Sequence, residues 1–92
     1  MNHVVDRSES VPRRVLGIRI RRMKDDFLIG DEDRALLIED IAAFIFASLD
    51  GHRSTTKVAQ LVAQEYGVDE GTALADVVEF LGDLADQGII EW

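Results

Sequence analysis

The sequence predicts an α+β domain: a three-stranded antiparallel sheet followed by three helices, in a winged helix-turn-helix-like arrangement. Three observations lead there. Apolar residues alternate at period two in short runs between positions 15 and 38. From position 41 the apolar spacing changes to three and four, over three runs that each end near a glycine. The strand runs are joined by only a few residues, which favours an antiparallel meander over parallel crossovers.

Residues 1–13 are polar, mixed in charge and hold the only proline, Pro12. They read as a flexible N-terminal arm ahead of one domain over 14–92. In LGIRIRRM, Leu16, Ile18 and Ile20 share one face and Arg19 and Arg21 the other, the pattern of a half-buried strand. KDD at 24–26 supplies a turn, FLIG at 27–30 a second strand, DEDR at 31–34 another turn and ALLI at 35–38 a third strand.

Glu39 or Asp40 can cap the first helix, whose stripe is Ile41, Phe44, Ile45 and Leu49. Phe46 lies off that stripe, so this helix is apolar on more than one side and suits a central position. Asp50-Gly51 stops it. Ser54 caps the second helix, with a stripe of Val58, Leu61, Val62 and Tyr66 and a stop at Gly67. Asp69 caps the third, which runs to Asp86 or Gln87 before Gly88. Its apolar residues span an arc of roughly 160°, wider than the ~100° that docking on one core requires. The excess predicts spare apolar surface around Ala73, Phe80 and Leu84. IIEW at the end reads as a short strand or a packed tail.

The 92 residues carry a net charge of −8, unevenly spread: residues 1–24 hold a net +5 and residues 25–92 a net −13. An acidic body excludes an extended phosphate-binding face. A winged-helix DNA-binding regulator is therefore the alternative reading. Its third helix would turn Asp76, Glu79, Asp83 and Asp86 toward DNA, with no Arg or Lys from 58 to 92 to offset them. The arginines of the first strand read as a solvated, aggregation-blocking edge.

No cysteine is present, so there is no disulfide, thiolate nucleophile or cysteine zinc site, and a reducing cytoplasmic location fits. No apolar run reaches the ~18 residues of a membrane span, and the N-terminus lacks the apolar region of a secretory signal. His3 and His52 are far apart and read as surface residues rather than metal ligands. DDFLIGDED has its acids interrupted by an apolar strand, which suits two turns better than a calcium loop. No phosphate-cradling, dinucleotide-binding or nucleophile-elbow motif occurs. The expectation is a protein that is not an enzyme and needs no cofactor or metal.

ALLIEDIAAFIFASLDG, TTKVAQLVAQEYGV and ADVVEFLGDLADQGII, taken in this order and spacing, resemble the PqqD family, small domains also called RiPP recognition elements. The resemblance covers roughly Val15 to Glu91. It implies an adaptor that binds the leader of a ribosomally made precursor peptide. The leader would be presented to a separate modifying enzyme, such as a radical-SAM enzyme, a cyclodehydratase or a leader peptidase. It also implies that the leader adds as a strand to the third strand and packs against the third helix.

Two features of the residues agree with that mode. A three-stranded sheet has a free edge, and RALLIE contains no proline to interrupt pairing. The candidate site is accordingly Arg34, Ala35, Leu36, Leu37 and Ile38 on the strand, with Ala73, Val77, Phe80, Leu81 and Leu84 on the helix. The alternation leaves open which strand parity faces the groove. Arg34 could pair a leader carboxylate, and Arg19, Arg21 and Arg22 could dock the enzyme. A homodimer through the free edge is a third reading.

Overall fold

In the computed structural model, which describes residues 7–30 and 33–92, the strands come first and the helices after them. The elements are β1 (Arg13–Arg14), β2 (Ile20–Met23), β3 (Asp26–Gly30), β4 (Ala35–Ile38), α1 (Asp40–Ala47), α2 (Thr55–Tyr66), α3 (Glu70–Asp86) and β5 (Ile90–Glu91). β2, β3 and β4 form an antiparallel sheet in that order, leaving β2 and β4 as its edges. β1 pairs antiparallel with β5 in a separate two-stranded clasp.

The pleat decides which sheet residues meet the helices. Phe27 and Ile29 of β3 are buried and pair with Ile38 and Leu36 of β4. Leu28 and Leu37, paired with each other, occupy the opposite face. The inner face packs with Ile45, Phe46, Val58, Val62, Val77, Leu81 and Leu84 in one core. Phe46 is fully buried, with its ring edge-on to Phe27 at 5.0 Å between centroids.

Two of the three expected N-caps, Ser54 and Asp69, form, and the one expected at Glu39 or Asp40 does not. The Ser54 hydroxyl accepts from the Lys57 N–H, and the Asp69 carboxylate accepts from the Gly71 and Thr72 N–H groups. α2 ends at Gly67, whose N–H donates to the Ala63 carbonyl. α1 begins without a side-chain cap at Glu39.

Asp69 has its pKa lowered, first by the Thr72 hydroxyl and then by the two N–H groups. The Asp50 pKa is lowered by the N–H groups of Arg53 and His52. A carboxylate with a folded pKa below its unfolded value of about 3.9 stabilises the fold fully above that value. The contribution disappears as pH falls through the folded pKa. The melting temperature should therefore begin to lose these contributions below about pH 4. Asp69→Asn should flatten part of that acid slope, which melting curves from neutral to strongly acidic pH would reveal.

Four local expectations change. Leu16 is 96% exposed, because Gly17 at φ 87° makes a turn where the alternation predicted strand. Ile41 is exposed, and Ala43 takes its place in the α1 core face. Tyr66 is 40% exposed, with its ring edge-on to Phe44 rather than in the core.

The fourth concerns the expected N-terminal arm. Residues 7–13 are fastened to the body: Pro12 is fully buried, and Ser10 and Ser8 carbonyls accept from the backbone and hydroxyls of Thr55 and Thr56. Arg13 opens β1. Residues 1–6, including His3, and residues 31–32 of the acidic turn lie outside the described residues. Among the described residues, no helix is long and apolar enough to cross a membrane.

Candidate functional site

The sheet has two edges that could accept another strand, β2 and β4, and the β4 edge is the one next to the C-terminal end of α3. Its neighbour β3 pairs with one side only, and no described strand pairs with the other. ALLI forms this edge because its β-compatible residues alternate between the core, through Ile38, and solvent, through Leu37. At the Gly30–Ala35 end of the sheet lies a groove of about 780 Å³, running from Ile18 before β2 past β3 to the start of β4 and closed on the other side by the C-terminal end of α3. Ile18, Ile29, Leu36 and Ile89 give it an apolar floor, while Asp33, Arg34 and Asp86 are exposed at its rim. Such a site offers main-chain pairing for affinity and side-chain pockets for selection.

The ten candidate residues fall into distinct places. Arg34, Ala35 and Leu36 line the groove. Leu37 is half-exposed on the far face, and Ile38 is core. Leu36 and Ile38 share the helix-facing side with Ile29 and Phe27, while Ala35 and Leu37 are on the opposite face.

On α3 the expected spare surface is a correction. Ala73, Val77, Leu81 and Leu84 are at most 1% exposed, filled by contacts with the core. They sit at the centre of the apolar arc, and a centre is what a helix buries first. The half-buried residues are on its flanks, with Leu74, Val78 and Ala85 to one side and Phe80 to the other. None of the five helix candidates lines the groove, which α3 meets through Asp86 and the residues just past its end, Gln87 to Ile89.

Ile18 and Ile89 were not among the candidates. The signal for Ile18 was its place on the apolar side of the alternating run. For Ile89 it was an apolar pair just after the helix-ending Gly88.

A family described as coenzyme PQQ synthesis protein D (PqqD) matches residues 28–90, which spans β3 through β5. The chain belongs to the PqqD family. This PqqD chain is 31% identical over 87 residues to the PqqA binding protein of Rhodopseudomonas palustris, covering 95% of this chain and 85% of the relative. It is 26% identical to the bifunctional coenzyme PQQ synthesis protein C/D of Methylorubrum extorquens, spanning only 22% of that protein's length.

Solved structures that share this fold include the following two. The PqqD truncation of Methylobacterium extorquens PqqCD, a functional and stand-alone RiPP recognition element, superposes with a TM-score of 0.74 at 25% identity. The overlap covers 92% of this chain and 93% of that one. TbiB1, solved in complex with the TbiA(beta) leader peptide, has a TM-score of 0.77 at 17% identity. That overlap covers 86% and 94% of the two chains, and this likeness concerns the fold.

Proposed function

We propose that this PqqD-family chain is a non-catalytic adaptor that binds the leader of a ribosomally synthesised precursor peptide and presents it to a modifying enzyme. The leader adds as a strand to the outer edge of β4. The observation that carries this reading is the open β4 edge standing beside an apolar-floored groove. Pairing with the edge supplies hydrogen bonds that depend little on sequence, and the groove takes alternate side chains. The 31% identical relative named as a PqqA binding protein supports the same class of ligand.

The residues assigned to leader contact are Arg34, Ala35 and Leu36 on the groove side and Leu37 on the other. Ile18 and Ile89 join them, while Ile38, Ala73, Val77, Leu81 and Leu84 support the site from the core. Phe80, on the α3 flank, is left outside the contact set because it does not line the groove. The modifying enzyme, of the radical-SAM or leader-peptidase kind, docks away from this edge. Arg19 and Arg21, at the opposite, β2 edge of the sheet, offer it an exposed basic surface on an otherwise acidic protein.

The test is an NMR titration of isotope-labelled protein with the leader region of a short peptide encoded beside its gene. Saturable amide shifts at residues 34–38 and at 86–89 are the expected result. Shifts elsewhere, or shifts with duplex DNA centred on Arg19 to Lys24 and none with the leader, would overturn the proposal. DNA binding is disfavoured because the exposed side of α3 carries Asp76, Glu79, Asp83 and Asp86.

A further inference from the structure

A strand added outside β4 has two faces, and the outer one meets the side of the sheet turned away from the helices. The sheet register identifies them. On the face turned away from the helices, Arg21, Leu28 and Leu37 make one row across the three strands. Gly30 and Ala35 pair in the row on one side of it. On the other side Met23 pairs with Asp26, and one step past the Phe27–Ile38 pair Asp26 comes opposite Glu39. Glu39 continues this face because its backbone is still extended, with φ −138° and ψ 168°.

The outward side of the free edge is therefore Ala35, Leu37 and Glu39, all exposed. Leu37 keeps half its surface in water, and Met23 in the neighbouring row is 48% exposed. Continuing the β3–β4 register one residue past its last pair, Phe27–Ile38, sets a second carboxylate, Asp26, across from Glu39. Like charges placed opposite one another are destabilising, so this row favours a cation as its next member.

We infer that this outer face selects the sequence class of the leader: a basic residue, an apolar residue two positions later, and a second, larger apolar residue two positions after that. A strand running antiparallel to β4 meets Glu39, Leu37 and Ala35 in that order. Antiparallel addition continues the sheet as built and is the more stable geometry. Facing side chains in such pairs have Cβ atoms about 4.5–5.5 Å apart, close enough for a Lys or Arg to reach both Glu39 and Asp26. An apolar residue over Leu37 extends the Leu28–Leu37 row and removes that leucine from water. Ala35 is small and leaves space for a bulky partner. The inference rests on the strand-addition reading above.

The experiment pans a phage-displayed library of random dodecapeptides against the full chain and against Glu39→Lys and Leu37→Ser variants. Selected peptides are then followed by amide shifts on labelled protein. Glu39 makes no side-chain cap bond and both positions are exposed, so the variants should keep the fold. The wild-type chain should enrich the basic–apolar–apolar spacing. Glu39→Lys should exchange the basic preference for an acidic one and weaken wild-type-selected peptides about five-fold. Leu37→Ser should lose the apolar preference at the middle position alone. Peptides that shift β4 amides but bind wild type and Glu39→Lys alike would overturn this inference and leave strand addition standing. A panning that enriches nothing, or only peptides that leave β4 amides unmoved, would overturn both.

Discussion

Gly30→Ala is expected to cost about 2–6 kcal/mol of stability and to displace the start of β4. Gly30 ends β3 at φ +112°, a region that side chains other than glycine rarely enter. A Cβ built there would lie 1.9 Å from the Arg34 carbonyl oxygen, which is backbone and cannot rotate aside. Relief requires the strand connection to move, and β4 begins one residue past Arg34. Strain of about 1–3 kcal/mol and a comparable overpacking cost act together. A domain of this size has roughly 5–14 kcal/mol in all.

The comparison that isolates the clash is Gly67→Ala. Gly67 also has positive φ, at 68°, but a Cβ there meets nothing within 4 Å. That substitution should cost only about 1 kcal/mol. Urea unfolding of the two variants side by side is the check. Equal midpoints would mean that the approach of Arg34 to Gly30 is not maintained in solution.

The second large effect is expected at Phe46→Ala, at about 3–5 kcal/mol. Phe46 has no exposed surface and ties three parts of the fold together. Its ring stands edge-on to Phe27 of the sheet, and the Arg14 guanidinium lies 4.2 Å above it. Its carbonyl accepts from Arg14 Nη2 at 2.7 Å. Burial, and then the charge of Arg22, lower the Arg14 pKa, so the aromatic face and the carbonyl compensate a partly desolvated cation.

Removing the ring should loosen β1 as well as open a cavity. Hydrogen exchange at Val15, whose N–H donates to the Ile89 carbonyl, should accelerate more than at α2, which is capped independently. Phe46→Leu keeps most of the volume and should cost about 1.5 kcal/mol. A Phe46→Ala variant with wild-type exchange at that amide would sink the proposed link between core and clasp.

Much of the fold was legible because local chemistry and global packing agree. β4 has the predicted bounds, and Ser54, Gly67 and Asp69 cap where their side chains or backbone freedom imply. The failures have physical causes. LGIRIRRM alternates perfectly on paper, yet one glycine at positive φ takes Leu16 out of the strand. A two-residue strand such as Arg13–Arg14 has no periodicity to read, and its partner lies at the far end of the chain.

The groove was harder than the strand beside it. The width of the α3 arc is visible in sequence, but the residues of its middle pack inward while its flanks remain partly exposed. Ala73, Val77, Leu81 and Leu84 lie at the centre of the stripe, and hydrophobicity at the centre of a stripe reports the core. The groove instead draws Ile89 from after the helix, a position set by how α3 ends rather than by its periodicity.

The clasp between β1 and β5 brings Arg13 opposite Glu91 and Arg14 opposite Ile90. Across such an antiparallel pair the Cα atoms stand about 4.5–5.5 Å apart, and beyond it the Arg7 guanidinium lies 5.0 Å from the Trp92 ring, so the two ends of the described body lie close together. A unit with adjacent entry and exit can be spliced into a surface loop of another protein without stretching its host. It can also be circularly permuted, with a short linker closing the old ends and a new opening cut elsewhere. Because the clasp is a sheet of its own, separate from the one that contains β4, either rearrangement would leave the strand-accepting edge intact.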